Sequence, residues 1–574
     1  MGDEYLGVTM DHVKWAKPNI SGTQGAISSN SVYATKAGLE ILRAGGNAMD
    51  AAAAVSLVLG LVEPYHCGIG GGCFQVIYHK ESNQFFSIDA RGVAPLAATE
   101  DMFLGPDGEP DPNLTEYSGR PVSTPALYRS LENMLTRFGT MTLAQVSAPA
   151  IRLAKEGFRC SFAYARASDS SFAEHNKEAY EGFAELYLNN GKPRTYGELV
   201  RNPALAKTME LVAEHGVDWF YTGPIAETMC RRINAHQGVF CMEDFAKTRA
   251  IYREPVRGNY RGYDVVSMSP PSSGGMHLVQ MLNILENFDL RGMGQFSADA
   301  IHTVAEAMKI MFADRSVAVA DPEFVHVNVE KITDKAYAKE LAAKIRAELA
   351  QEYAPSEGIE AKEYNGCTTN FTVMDKFGNA VVQTQTIRNW WGCGIAIPEW
   401  GFIMNNNGAD FSAKPGTLNS MGLKYGTANR IQPGKTSLSS MSPTLVMKDG
   451  RPFLAVGAAG GPRIITSTLQ LILNVIDFDC MIDQAARLPN ICCLSLAQDL
   501  ELEPGISPDT KAILRSKGHH LNELEARAAL LQMPNGTQCM DGVFYAGGTA
   551  RVDGCGGTIT ESGALALDGC VFEE

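Results

Sequence analysis

What this chain of 574 residues lacks closes several functional classes before any motif is considered. It has no surplus of cations. Its 49 Lys and Arg face 64 Asp and Glu, and the formal charge of −15 excludes the basic surface that a nucleic acid or an acidic membrane would need. A small molecule is the expected partner. It has no long apolar run: Ala51 to Val62, broken by Ser56 and Gly60, is too short to span a bilayer and reads as a buried helix. The opening Met1 to Gly7 carries neither a basic nor an apolar leader, so a cytoplasmic protein is expected. No Cys-x-x-Cys pair occurs among the 13 cysteines, an odd number with only Cys492-Cys493 adjacent. That pattern suits neither a zinc site nor a disulfide framework, and reduced thiols are expected. Repeats, low-complexity tracts and clear linkers are missing too. The remaining composition, 45% hydrophobic and 20% charged, is that of an ordinary soluble globular chain.

The stretch that organises the rest runs from Asn365 to Ile387. Phe371 to Asp375 and Ala380 to Ile387 are rich in β-branched and aromatic residues, and Lys376-Phe377-Gly378-Asn379 is turn chemistry, so a β-hairpin is predicted. A polar segment, Ser356 to Asn365, leads into it like an exposed tether, and Gly366-Cys367-Thr368-Thr369 stands where the sheet begins. Two readings fit those threonines. They can simply start a strand, as threonines do. Alternatively, a chain cut before Thr368 would place a hydroxyl beside its own α-amine, a base of pKa about 7.7–8.0.

Upstream, Ser31 is the expected cap of a helix through Leu42, and Asn47 that of a nearly all-apolar helix reaching Val62 and stopped by Pro64. The glycines Gly68-Ile69-Gly70-Gly71-Gly72 then precede a hairpin of Cys73 to Tyr78 and Gln84 to Asp89. A dinucleotide fingerprint needs strand, glycines, then helix, whereas these follow a helix and precede a strand. A close backbone crossing is expected instead, and no cofactor or metal. Helices are predicted from Thr124-Pro125 to Phe138 and from Thr142 to Glu156, then a polar helical region to about Arg253, a helix after Pro270-Pro271-Ser272-Ser273-Gly274-Gly275 to Asn287, and others through Ile310 and Leu341. Strands dominate the last third: Phe402 to Met404, and Thr444 to Lys448 paired with Phe453 to Ala458. Gly460-Gly461-Pro462-Arg463 follows, then an amphipathic helix from Ile464 to Asp477. Helical runs around antiparallel hairpins predict an α/β fold, a four-layer α/β/β/α sandwich with two mainly antiparallel sheets between helical layers.

Three features suit a nucleophile at Thr368. Gly460-Gly461, at a strand-to-helix turn, offers backbone N–H groups for an oxyanion, or is merely a tight turn. Ser439 and Ser440 precede a strand, and Arg91, just after another, carries a fork suited to a carboxylate. Asn405-Asn406-Asn407-Gly408-Ala409-Asp410 gathers amides and a carboxylate, or is only a polar loop.

In order along the chain, Asn47-Ala48-Met49-Asp50-Ala51-Ala52, Glu63-Pro64 with the glycine run, Pro270 to Gly275, Thr368-Thr369 with its hairpin, Asp410-Phe411-Ser412, Leu438 to Thr444, and Gly460-Gly461 with Arg463-Ile464-Ile465 resemble γ-glutamyltransferase sequences. That resemblance implies an N-terminal-nucleophile hydrolase that cuts itself between Cys367 and Thr368. Residues 1–367 would form a large subunit and 368–574 a small catalytic one, two halves of one intertwined domain, with further oligomerisation left open. It implies Thr368 as nucleophile and base, Thr386 as its supporting hydroxyl, and Gly460 and Gly461 as oxyanion hole. Arg91, Ser439 and Ser440 would hold the substrate α-carboxylate and Asp410 its α-ammonium, and the span from Asp410 to Ser439 leaves room for a lid loop. The acyl group would pass to water or an amine.

The departures from the family pattern concern the acyl pocket. Asn370 stands where the family usually has His, Arg388 where it has Asn, Asn407 where it has Gln or Glu, and Gly408-Ala409 replace Met-Asp. A guanidinium facing an ammonium is repulsive by about 4 kcal/mol at a few ångströms and an effective dielectric of 20. By the period of two, Arg388 is expected on the face of Thr386, where it either pairs with Asp410 or grips another anionic group of the donor. Three readings follow: a γ-glutamyl amide hydrolase and transferase, an amidohydrolase for amino-free dicarboxylate monoamides of the oxamate or glutaryl type, and an inactive binding protein for an acidic metabolite.

Overall fold

The computed structural model describes residues 20–354, 367–415, 426–495, 499–525 and 532–568, with the backbone alone at 316–318 and 367. The tether expected over Ser356–Asn365 and the central part of the expected lid lie outside the described residues. Among the described residues two large sheets face each other. One has eight strands, in which Gly25–Ser29, Cys367–Asp375, Ala380–Arg388, Gly72–His79 and Gln84–Ala90 are successive neighbours. The other has seven, with Met533–Met540, Arg451–Ala459, Thr444–Lys448 and Tyr263–Ser267 adjacent. Every ladder in these two sheets is antiparallel.

Three apolar layers hold the stack together, as a four-layer sandwich requires. Phe74, Val76, Met374, Val382, Leu445, Ala455 and Ala458 fill the space between the sheets. Helices Val32–Arg43 and Ala48–Val62 close the outer face of the eight-stranded sheet. Helices Gly274–Leu285, Ala298–Ala318 and Arg463–Ile476 close that of the seven-stranded one. The predicted sandwich is therefore the observed one. Strands from before and after residue 368 are hydrogen-bonded neighbours within both sheets, so the two halves of the sequence share a single core. Among the described residues, no helix is long and apolar enough to cross a membrane.

Local chemistry accounts for the elements nearest the site. Asn47 caps Ala48–Val62 by accepting from the Met49 and Asp50 N–H groups, while Asp50 accepts from the Asn47 N–H, a reciprocal box that satisfies three otherwise orphaned donors. Burial of nearly every residue of that helix matches its all-apolar reading. Two expectations are corrected. The helix after Thr124-Pro125 begins only at Leu127, because Thr124 is instead tied by its backbone N–H to Val93 and its hydroxyl to the Val93 N–H. Helix Arg463–Ile476 is buried along its whole length; its apolar moment is real, but its polar side packs under Ile491 and Gln532 instead of meeting water.

The glycine run is a close crossing, as expected. A Cβ on Gly70 would stand 2.0 Å from the Ile403 carbonyl oxygen, and one on Gly71 would stand 2.3 Å from that of Thr386. Gly71→Ala is therefore expected to push the Thr386 end of its strand outward, costing about 1–3 kcal/mol of stability as over-packing does. Chemical denaturation measures that loss, and an unchanged midpoint would mean the loop has slack.

Candidate active site

Thr368 sits at the start of the central strand Cys367–Asp375, 5% exposed. By strand alternation its side chain shares the inter-sheet face with Asn370, Thr372 and Met374, and Met374 is in the inter-sheet core. Its hydroxyl lies 3.4 Å from that of Thr386 on the partner strand. A bulge sets this approach. Between Cys367 and Thr369 the partner strand spends three residue steps, from Arg388 to Gln385, against two on the strand of Thr368. Extra residues of this kind re-aim side chains. The Thr386 hydroxyl also accepts from the Arg388 N–H at 2.8 Å, which orients it.

The same bulge corrects the expectation for Arg388. Its backbone has φ +77°, a conformation that branched and bulky residues seldom adopt, so strand periodicity ends there. The guanidinium nevertheless reaches Asp410, the pairing that was one of the two alternatives for Arg388. Arg388 Nε donates to Asp410 Oδ1 at 2.9 Å, Nη1 to Glu116 Oε2 at 2.6 Å and to Asn389 Oδ1 at 3.2 Å, and Nη2 to the Ala409 carbonyl at 3.4 Å. Burial disfavours its charge, but the carboxylates of Glu116 and Asp410 outweigh burial and hold its pKa above the ordinary arginine value.

Arg91 closes the other side. Its Nη2 meets Asp410 Oδ2 at 2.5 Å, Nη1 donates to Ser439 Oγ at 3.3 Å and Nε to Ser437 Oγ at 3.2 Å. Asp410 thus has a guanidinium on each oxygen, in a buried row Arg91, Asp410, Arg388, Glu116 of alternating sign. Asn407 donates from Nδ2 to the Arg91 carbonyl, and its own carbonyl accepts from Ser437. The polar loop before Asp410 is a fitted support: Asn405 Nδ2 donates to the Gly70 and Ser123 carbonyls, and Asn406 Nδ2 to the Glu116 carbonyl. Ser440 turns elsewhere, accepting from Arg315 Nη2 at 2.9 Å, while Arg315 Nε donates to Ser273. Glu116 and Arg315 were invisible in the sequence, since each sits in a stretch without a motif of its own, whereas Ser437 directly precedes the Leu438 to Thr444 stretch.

Gly460 and Gly461 form the turn from strand Arg451–Ala459 into helix Arg463–Ile476, with φ of +130° and +60° that favour glycine. That strand faces the strand of Thr368: a Cβ on Gly457 would lie 2.4 Å from Asn370 Nδ2. The direction follows from Met533, which pairs with Ala459 and touches Asn30, the residue that holds the Thr369 hydroxyl. The end of the strand leading to Gly460 is therefore the Thr368 end.

The family model described as Gamma-glutamyltranspeptidase matches residues 34–554. The chain belongs to this family. It is 40% identical over 535 residues to the glutathione hydrolase proenzyme of Escherichia coli (strain K12), covering 93% of this chain and 91% of that protein. It is 35% identical over 566 residues to the acylase ACY 1 proenzyme of Pseudomonas sp. (strain SE83), covering 97% of each. Among solved structures, a cephalosporin acylase from Bacillus halodurans superposes with a TM-score of 0.83 at 26% identity, over 96% of this chain and 99% of that one. The Helicobacter pylori gamma-glutamyltranspeptidase gives 0.53 at 36% identity, over 58% of this chain and 93% of that chain. Glutathione hydrolase and acylase proenzymes thus both stand among the relatives of this gamma-glutamyltranspeptidase-family enzyme.

A second polar cluster of this family member, buried His302, Glu306 and His519, has ligand atoms close enough together for a metal ion. Its hydrogen bonds account for it without one. His302 Nε2 donates to the Arg346 carbonyl at 2.8 Å, leaving Nδ1 to accept from His519 Nε2 at 2.8 Å. Glu306 Oε2 accepts from the Gln351 N–H and the Tyr353 hydroxyl, and Oε1 faces Lys309 Nζ at 2.5 Å. Burial lowers the pKa of both imidazoles, that of His519 to about 3, in keeping with neutral rings beside a lysine. The cluster anchors residues 346–353.

Proposed function

We propose that the chain is a self-processing amidohydrolase and acyltransferase whose nucleophile is Thr368, acting on amides of a carboxylate-bearing acyl group. The observation that carries this is the pairing of the Thr368 and Thr386 hydroxyls at 3.4 Å, at the end of a central strand and beside the Arg91 pocket. In processing, Thr368 Oγ attacks the Cys367 carbonyl carbon, the peptide nitrogen takes the proton and leaves as the new α-amine, and water opens the resulting ester. The fragments 1–367 and 368–574 then stay together as large and small subunits of one sandwich. In turnover the α-amine accepts the Oγ proton as Oγ attacks the donor amide, and the N–H groups of Gly460 and Gly461 receive the oxyanion. Protonation by the α-ammonium expels the amine, and water or another amine removes the acyl group from Thr368. A cytoplasmic setting is part of this proposal, resting on the odd number of cysteines without a Cys-x-x-Cys pair.

Within this reading, the doubly paired Asp410 favours amino-free dicarboxylate monoamides over γ-glutamyl amides. A donor ammonium needs a carboxylate with charge to spare, whereas Asp410 already answers two guanidiniums at 2.5 and 2.9 Å. A donor screen with γ-glutamyl, glutaryl and oxamyl anilides tests this. Glutaryl or oxamyl turnover should exceed γ-glutamyl turnover, and a clear preference for γ-glutamyl would return the site to the plain γ-glutamyltransferase reading. Arg91→Ala is expected to raise KM for whichever carboxylate donor is used by about ten- to a hundredfold, the cost of about 1.5–3 kcal/mol for a lost charge-assisted contact, with self-cleavage unaffected. An unchanged KM would place the carboxylate site elsewhere.

A further inference from the structure

The nucleophile end of the central strand outruns its neighbour. Strand Gly25–Ser29 pairs with it only from Phe371 to Asp375, Ser29 lying opposite Phe371, so the ladder on that side stops before Asn370, Thr369 and Thr368. A strand end held by one neighbour frays, and a nucleophile on it would wander. Two side-chain amides take over where the ladder stops. Asn535, from strand Met533–Met540 of the facing sheet, donates from Nδ2 to the Asn370 carbonyl at 3.2 Å and to Asn30 Oδ1 at 2.6 Å. Asn30 Nδ2 donates in turn to the Thr369 hydroxyl at 3.0 Å. Ser28 fixes the orientation of Asn535, donating to its Oδ1 at 3.2 Å and to the Gly547 carbonyl at 2.7 Å. Asn535 and Asn30 are 0% and 1% exposed. Asn535 also pairs with Gly457, three residues before Gly460, so one amide ties the nucleophile strand to the strand that ends at the oxyanion turn.

We infer that Asn535 and Asn30 are positioning residues for Thr368: they replace the missing ladder, hold the Thr368 hydroxyl in register with Gly460 and Gly461, and thereby set the rates of self-cleavage and of acyl transfer. Neither touches the reacting atoms. The inference rests on Thr368 as nucleophile, and the two can fail separately.

The test uses the full-length chain with Asn535→Ala, Asn535→Asp and Asn30→Ala. Asn535→Asp keeps the acceptor for Ser28 but loses the N–H donated to Asn370. Self-cleavage half-life is followed by intact mass well below the melting temperature, and kcat and KM are measured on the processed fraction. Displacing reacting groups by about an ångström can cost about a hundredfold in rate. Asn535→Ala and Asn535→Asp are expected to lengthen the half-life and lower kcat by about ten- to a hundredfold, with KM within about threefold, and Asn30→Ala to do the same more weakly. A purely structural role would lower the melting temperature and leave both rates alone. Half-life and kcat within twofold of wild type would overturn the inference, as would a loss confined to KM. If Asn535→Ala does not fold, the Asn535→Asp and Asn30→Ala rates decide. N-terminal sequencing of the processed wild type separates the two failures: a small fragment that does not begin at Thr368 removes the nucleophile reading itself, whereas one that does, with unaffected variants, removes only the positioning role.

Discussion

Thr368→Ala is expected to remain one chain through purification and prolonged incubation, and to lose amidase activity by on the order of 10⁴-fold or more, the scale seen when a covalent nucleophile is deleted. Both effects follow from one atom. In the proposed mechanism the hydroxyl that opens the Cys367–Thr368 bond is the one that later carries the acyl group. The 3.4 Å contact to Thr386 is itself worth about 1 kcal/mol or less, so its loss changes stability little. Denaturing mass spectrometry and a melting curve on the same sample separate loss of chemistry from loss of fold. Cleavage persisting at this bond in the Ala variant would sink the assignment. A Ser at the same position keeps the attacking oxygen and should restore processing at reduced speed.

The second large effect concerns Arg388. Arg388→Asn removes the guanidinium from Asp410 Oδ1 and leaves that carboxylate with Arg91 alone, so one carboxylate oxygen is open to a donor ammonium and the nearest repelling cation is gone. The ratio of kcat/KM for a γ-glutamyl anilide to that for the matching glutaryl anilide should rise by about tenfold for each 1.4 kcal/mol of relieved repulsion. Two costs and one gain accompany it. Glu116 loses its ion-pair partner and keeps only the amides of Asn389 and Asn406, and an uncompensated buried charge can cost about 3–5 kcal/mol. Packing around a wholly buried arginine is lost as well. Against that, Asn accepts a positive φ more readily than most residues, which suits the +77° at this position. Pairing Arg388→Asn with Glu116→Gln removes the orphaned charge and keeps the comparison interpretable if the single variant is poorly stable. A ratio that stays put in both variants, with wild type already preferring γ-glutamyl donors, would show that Asp410 recruits the ammonium in spite of its two arginines.

Much of this architecture was legible in the residues because it is decided locally. The reciprocal cap of Asn47 and Asp50, the hairpin around Gly378 and the strand-to-helix turn at Gly460-Gly461 each follow from groups a few positions apart, and the alternation along residues 370–374 already separated core faces. The glycine run was readable for the same reason: no Cβ fits where chains cross that closely. The identities of Thr368, Thr386, Arg91 and Asp410 as one constellation came from motif order, and the pocket does bring Arg91 to Asp410. What the pocket does with its charges was settled only by the tertiary structure. Periodicity places Arg388 beside Thr386 but cannot see a bulge or a positive φ. It offers no hint that Glu116, 272 positions away, supplies the counter-charge. Asn30 and Asn535 lie 505 positions apart and meet only because strands from both ends of the chain enter the sandwich beside the central one. Local propensity fixes which strand a residue joins; the partner across the gap between two sheets depends on how the whole stack closes, and buried polar groups take whichever partner that closure brings within hydrogen-bonding distance.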